Sequence, residues 1–391
     1  MKRYGFCILL RCEHARLATD EMAWWSVAPQ PPQSAGIISA MSPNNFGGRY
    51  HLEPGLTPDD LLAIRDDPAA QVVQFSERLN ESDYELLEDV VFSTRPDIEL
   101  RVFGWYGYYI DLSFLRRIPS ATKLLLEGLE LGSADEIPGH WAGIEVLSER
   151  PNLSELTLGI LDLQSFEFLS EIVPTLRLLS LEDTFSKRPS LAPISRFTDL
   201  QELRVEGHNK GIESIAALTR LQTLTLRSTS TQTVDFLRSL NVLRDLSFEL
   251  GGTKSFDALE HLSGLASLTI EMVRGLADLS FVSRLHSLEG LSLYALRNVT
   301  ELPSFAELEK LTAIGLENMR GLTDMTSLRN APALQRFVHV NASATTLEMH
   351  IPLLENPALK LVRVGFGSDK RNKQFDEMAQ AHGKLTGDEW F

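Results

Sequence analysis

The sequence predicts an α/β solenoid, one parallel β-sheet made of about twelve repeated rungs, and three observations predict it. Leucine accounts for 65 of the 391 residues, more than a generic enzyme domain carries. The pattern Leu-x-x-Leu-x-Leu recurs as Leu153-Leu156-Leu158, Leu176-Leu179-Leu181, Leu200-Leu203-Val205, Leu221-Leu224-Leu226, Leu243-Leu246-Phe248, Leu265-Leu268-Ile270, Leu288-Leu291-Leu293, Leu311-Ile314-Leu316, Leu334-Phe337-His339 and Leu359-Val362-Val364. The triplet ends are spaced 21 to 25 residues apart. Within each triplet the apolar residues alternate, so they point to one side of a short strand, and the rest of the unit must return to begin the next. A unit of this size cannot bury its own leucines, but stacked units share a core with strands about 4.8 Å apart. A single repeated unit thus fills a length that would otherwise suggest two or three domains.

Residues 1–40 stand apart from this pattern. They hold both cysteines, Cys7 and Cys12, the pair Trp24-Trp25 and the proline-rich stretch Pro29–Pro32. The expectation is a disordered leader, with Met41 as an alternative translation start. The apolar run Tyr4–Leu10 ends at Arg11, short for a signal peptide, and no run reaches the roughly 18 apolar residues of a membrane span. Residues 13–391 lack cysteine, so no disulfide staples the repeats. The expected location is cytoplasmic, with no membrane association. Cys7, Cys12 and His14 lack a fourth ligand, so no metal or other cofactor is expected.

Residues 41–97 form an acidic flank expected to act as a helical cap. Between 41 and 100 there are 4 basic and 13 acidic residues. Thr57, Pro58 and Asp59-Asp60 signal one helix start. Ser82-Asp83-Tyr84-Glu85 signals another, opening the run Tyr84, Leu86, Leu87, Val90 and Val91. The solenoid is placed at 98–367, where the weaker registers Ile98-Leu100-Val102 and Leu124-Leu126 complete twelve rungs. The interval of 32 from Leu126 to Leu158 leaves room for an insertion at 137–150, expected as an outer helix. The returns, such as Phe236, Leu237 and Leu240 or Phe281, Val282 and Leu285, predict short helices or 3-10 turns on the convex side. Residues 368–391 predict a C-terminal helical cap and tail, starting at Ser368, with Phe375, Met378, Ala379 and His382 on one face and Gly383 as its stop.

Over residues 98–367 the triplets resemble the leucine-rich repeat superfamily, specifically the 22–23-residue internalin-like class of bacterial cytoplasmic type. The resemblance implies a concave parallel sheet that binds another protein. The family places asparagine three residues after each triplet. Here those positions are Leu161, Thr184, His208, Thr229, Gly251, Val273, Leu296, Met319, Ala342 and Gly367, so the turns must be filled in another way.

On the concave face the central column is Thr157, Ser180, Arg204, Thr225, Ser247, Thr269, Ser292, Gly315, Val338 and Arg363. Small hydroxyl side chains suit a crowded, inward-curving sheet. The next column carries Glu182, Glu206, Arg227, Glu249, Glu271, Tyr294 and Glu317, and Glu155, Glu202 and Asp245 share the face one position before the central leucine. Glutamates one rung apart repel. The functional reading is a docking face for a basic protein, with Tyr294 and Arg227 as the strongest anchor candidates. The competing reading is a solvated face on which Arg204 and Arg227 relieve the repulsion. Replacing Glu206, Glu249 and Glu271 with Lys is expected to abolish partner capture without disturbing the melting profile.

The net charge of −16 argues against nucleic acid as a partner. A basic cluster of Lys360, Arg363, Lys370, Arg371 and Lys373 opposes the acidic flank, and that polarity suits weak end-to-end association of an otherwise monomeric chain. No enzyme is expected. Residues 13–391 lack the cysteine of ubiquitin-ligase repeat effectors, and Gly365–Lys370 lacks the Gly-Lys-Ser/Thr of a phosphate loop. His339 alone of nine histidines falls at a core register, where a buried, hydrogen-bonded side chain is expected. Trp105, Tyr106, Tyr108 and Tyr109, and the pair His140-Trp141, are expected to pack over the first rungs. The resulting function is a non-enzymatic adaptor or neutralising partner. The alternatives are a secreted effector that engages a host protein and, behind it, an enzyme with an unrecognised site.

Overall fold

The computed structural model describes residues 44–104, 110–129 and 143–386. Fifteen strands form one sheet in strict chain order, with β1 antiparallel to β2 and every later pair parallel. The hairpin of β1 (Asn44–Phe46) and β2 (Arg49–His51) turns on Gly47 and Gly48, both at positive φ. Two left-handed residues in a two-residue loop match the twist of the flanking strands. The leucine-rich repeat solenoid is thus present, with fourteen parallel strands.

The N-terminal flank belongs to this sheet. The strands β2 and β3 (Val72–Phe75) pair ahead of β4 (Glu99–Phe103), so the sheet begins two rungs before residue 98. The helices α1 (Pro58–Asp66) and α2 (Glu81–Leu87) are the returns of those rungs. Thr57 caps α1 as expected: its hydroxyl accepts from Asp60 N, and the Asp60 carboxylate accepts from Thr57 N at 3.2 Å. The second helix starts earlier than Ser82 implies, with Asn80 as its N-cap. The physical reason is Asp83, whose buried carboxylate accepts from Asn80 N at 2.9 Å and also from Gly55 N and Leu56 N.

From β5 (Lys123–Leu129) onward the rungs repeat one plan, a strand, a turn and a convex return, and the return carries a 3-10 turn except between Tyr294 and Ala313. The strands β6 (Glu155–Ile160), β7 (Leu178–Leu181), β8 (Glu202–Glu206), β9 (Thr223–Arg227) and β10 (Asp245–Glu249) are followed by β11 (Ser267–Glu271), β12 (Gly290–Tyr294), β13 (Ala313–Glu317), β14 (Arg336–Val340) and β15 (Leu361–Val364). The last two residues of all ten sequence triplets lie in β6 to β15, and the first stands two positions ahead of each strand. Partners align position for position, Leu224 beside Leu246 beside Leu268 beside Leu291. Their leucines join one continuous core. The convex returns are mostly 3-10, as at Asp235–Leu237 and Ser280–Arg284. Within the expected insertion at 137–150, the described part is a four-residue 3-10 turn, Ile144–Leu147, in the ordinary convex place; no outer helix is present among these residues.

The missing asparagines are replaced in two ways. Most of their positions are buried: His208, Thr229, Val273, Leu296, Met319 and Ala342 all point inward. The residue just before each lies in the left-handed region at Gly207, Ser228, Leu250, Met272, Ala295, Asn318 and Asn341. That twist lets the backbone bond across rungs, and at His208 a side chain does so as well, its Nε2 lying 3.0 Å from Glu182 O. Gly207 N donates to Arg227 O, Ser228 N to Glu249 O, Leu250 N to Glu271 O, Met272 N to Tyr294 O, Ala295 N to Glu317 O and Asn318 N to Val340 O, all at 2.7 to 3.0 Å.

At the C-terminal end α3 (Ile351–Leu354) returns β14 to β15, and α4 (Asp369–Ala381) follows β15. Phe375 and Ala379 are buried on the side of α4 that faces the last rung, and Gly383 ends it at positive φ. His382 departs from the expected buried face: it is exposed and bonds back to Met378 O.

Candidate functional site

The alternation that buries the leucines also builds the opposite face. Through β8 to β12 alternate residues are buried and half-buried, so residues at odd positions of each strand share the concave side. Glu202, Asp245, Arg204, Glu206, Arg227, Glu249, Glu271, Tyr294 and Glu317 all fall on it, as does Glu155 on β6. Glu182 continues the line beyond β7, its backbone N donating to Leu158 O. The register makes Glu206, Arg227, Glu249, Glu271, Tyr294 and Glu317 successive neighbours.

The centre of this column is charge-balanced. Arg227 donates Nε to Glu206 Oε1 at 3.0 Å and Nη1 to Glu249 Oε2 at 2.9 Å. Arg204 reaches the same two glutamates at 3.5 and 3.7 Å, and Ser247 donates to Glu249 Oε1 at 3.1 Å. Their side chains are only 16 to 29% exposed. Although burial works against its charge, Arg227 is held above the ordinary arginine value by hydrogen bonding with Glu249 and by Glu206. A continuous acidic stripe is therefore not what the chain forms. Two glutamates and two arginines across β8–β10 satisfy one another.

Carboxylates on either side of this centre are held differently. Glu182 lies over Gly159, where a Cβ would stand 2.4 Å from its Oε2. Burial, reinforced by Glu127, pushes Glu182 up to about 7, and burial beside Glu155 and Glu127 does the same to Glu99. Burial and the neighbouring Glu249 and Glu317 raise Glu271, and burial raises Glu317 against an opposing bond from Asn341 Nδ2 at 3.1 Å. Tyr294 is placed between Glu271 and Glu317 by register. Asp245 is also raised by burial. The face thus has a neutral middle and two flanks on which carboxylates are crowded and partly desolvated.

Sequence reasoning missed the N-terminal part of the face. Arg101 bonds Glu127 at 2.7 Å and Gln74 at 2.9 Å while its guanidinium sits 4.7 Å over the Phe103 ring. Lys123 pairs with Glu155 at 2.9 Å. The available signal was positional, because Phe103 and Glu127 each stand one residue past a weak register's last apolar residue.

Among the described residues no group of three His, Cys, Asp or Glu is placed to hold a metal. A pocket of about 240 Å³ lies among α2 and the turn Leu112–Arg117 and includes Arg78, Tyr84, Phe114 and Arg117. Arg117 there already pairs with Glu81 and Glu85. Of the C-terminal basic cluster, Arg371 is turned inward, donating to Ser343 O and Thr345 O over the Phe366 ring, and Lys360 donates to Gln335. The leader with Cys7, Cys12 and His14, the aromatics at 105–109 and the pair His140-Trp141 lie outside the described residues.

The strand order, register and convex 3-10 turns define a leucine-rich repeat solenoid. Among solved structures it is similar to an internalin of Listeria monocytogenes, with TM-score 0.50 and 19% identity over 79% of this chain and 83% of that one. A leucine-rich repeat protein of Leptospira interrogans gives TM-score 0.48 and 14% identity, covering 87% and 89%. TLR13 in complex with ssRNA13 gives 0.48 and 16%, covering 82% of this chain and 48% of that one. No family model matches the sequence, and no curated protein does. No helix among the described residues is long and apolar enough to cross a membrane.

Proposed function

We propose that this chain is a non-enzymatic protein-binding solenoid whose concave face captures a basic protein, as an adaptor or neutralising partner. The observation that carries the reading is the pair of crowded carboxylate flanks at Glu182 and at Glu271–Tyr294–Glu317. Each places carboxyl groups in a partly desolvated position where a partner's Lys or Arg would lower the cost of ionisation. The charge-balanced centre of Arg204, Glu206, Arg227 and Glu249 then supplies a neutral floor between them.

This geometry changes the useful mutations. Lysine at 206 or 249 would stand against Arg204 and Arg227, so those substitutions test stability as much as docking. The test begins with affinity capture by the full chain in low salt, elution in high salt and mass spectrometry. The purified partner is then titrated against Glu182→Gln, Glu271→Gln and Glu317→Gln combined. The expected result is a salt-sensitive basic partner whose affinity falls at least tenfold for the triple variant while the variant's melting temperature does not fall. An acidic or salt-insensitive partner, or undiminished affinity, would overturn the proposal.

A further inference from the structure

A pair of buried imidazoles sits where the last rungs close. His339 on β14 and His350 before α3 are both fully buried, and His339 Nδ1 lies 3.3 Å from His350 Nε2. His350 Nδ1 lies 2.9 Å from the Thr346 carbonyl oxygen. A carbonyl only accepts, so His350 must carry its proton on Nδ1 and offer Nε2 as an acceptor. His339 must then donate from Nδ1, which leaves its Nε2 as a bare lone pair. That atom is buried and has no hydrogen-bond partner. Both rings are neutral in this chain of bonds, and each has its tautomer fixed by the next.

The surroundings offer no place for a positive charge. Leu316 on β13 and Val364 on β15 flank His339 in register, and Phe337 packs near its ring. Phe366 after β15 and Phe375 on α4 meet the His350 ring edge-on at 5.4 and 5.5 Å. The charged group facing the pair from α4 is Arg371, itself a cation, held by Ser343 O and Thr345 O. Glu348 in the same turn is held ionised by hydrogen bonds from its own backbone and from Thr346, with Arg371 adding to this. A third proton on this pair would have to enter at His339 Nε2 and find no acceptor.

We propose that the His339–His350 pair is an acid-released latch: proton uptake by the two imidazoles frees the C-terminal closure, α3, β15 and α4, from the rest of the sheet. In a solenoid each rung contacts only its neighbours, so an end can open while the middle stays folded. Burial holds His339 down at about 3 and His350 at about 4, whereas an exposed imidazole titrates near 6.5. The closed form binds neither proton between those limits and the open form binds both. The sign follows: closure is strongest above about pH 6.5 and weakens as pH falls toward the closed-state values. Two protons per opening make the opening constant rise about a hundredfold per pH unit in that window.

The experiment is native-state hydrogen exchange with mass spectrometry on the full chain between pH 7 and pH 5, corrected for intrinsic exchange rates. This range stays above ordinary carboxylate titration. Peptides from 341–386 should show a slope approaching two in log opening constant against pH, while peptides from β8 to β12 should not. His350→Leu should reduce that slope to about one, and His339→Leu with His350→Leu should abolish it. A slope near zero in the unaltered chain overturns the proposal even if neither variant folds, and so does a slope that survives in the double variant.

Discussion

Arg150 illustrates how a single side chain closes a rung. Its guanidinium donates to Leu115 O, Ile118 O and Ala121 O at 2.6 to 2.8 Å, the carbonyls left over where a convex turn ends. Arg95 does the same for Arg65, Asp67 and Ala70, and Asn356 for Leu328 and Ala331. Each stands three residues before its triplet, at Ile98, Leu153 and Leu359, where other rungs carry buried Phe197, Leu218, Leu240, Leu262, Leu285 and Leu308. Burial lowers Arg150 to about 10, opposed by Glu88. Arg150→Met should destabilise the fold by about 3 kcal/mol, since three buried acceptors lose a charged donor; urea unfolding measures it. A smaller effect of opposite sign belongs to Met272, held at φ 47. Met272→Asn should stabilise by about 0.5 kcal/mol, because asparagine tolerates the left-handed region that Asn318 and Asn341 already occupy at the same place two and three rungs along.

Convex turns are tied together by aromatic contacts as well as by the leucines. Phe256 meets Phe248 of β10 edge-on at 4.9 Å and stacks on Phe281 of the next turn at 5.2 Å. Phe256→Ala should cost about 4 kcal/mol and broaden the unfolding transition, because it cuts one strand from its own return and from the neighbouring one. Such elements were legible where the triplet was complete: β6 to β15 follow directly from the leucine spacing. The rungs of β2 and β3 were not, because Arg49-Tyr50-His51 and Val72–Phe75 carry no leucine triplet and contribute Tyr50, Val73 and Phe75 to the core instead. The candidate site divides the same way. Which residues share the face follows from alternation alone, but the Arg227 bonds to Glu206 and Glu249 join residues 21 and 22 positions apart. Their formation depends on rotamers and spacing across rungs that no local pattern encodes.

Across the whole molecule the two ends answer pH in opposite senses. Glu99 and Glu182 are raised to about 7, so the folded form binds more protons than the unfolded form between the ordinary carboxylate range and neutrality. Their rungs gain stability as pH falls from about 7 toward 4.5, while the imidazole pair loses it. Hydrogen exchange at pH 7.5 and 5.5 should show protection rising near β4 to β7 and falling beyond residue 341. Glu99→Gln with Glu182→Gln should remove only the rise. The position-for-position pairing of β9, β10 and β11 has a genetic consequence. Excising the 22 residues from Leu246 to Ser267 would join Asp245 to Leu268 and leave every column in phase. Arg227 would lose Glu249 and meet Glu271 in its place, so a recombination that drops one repeat would heal its own charge pair and yield a shorter protein with the same face.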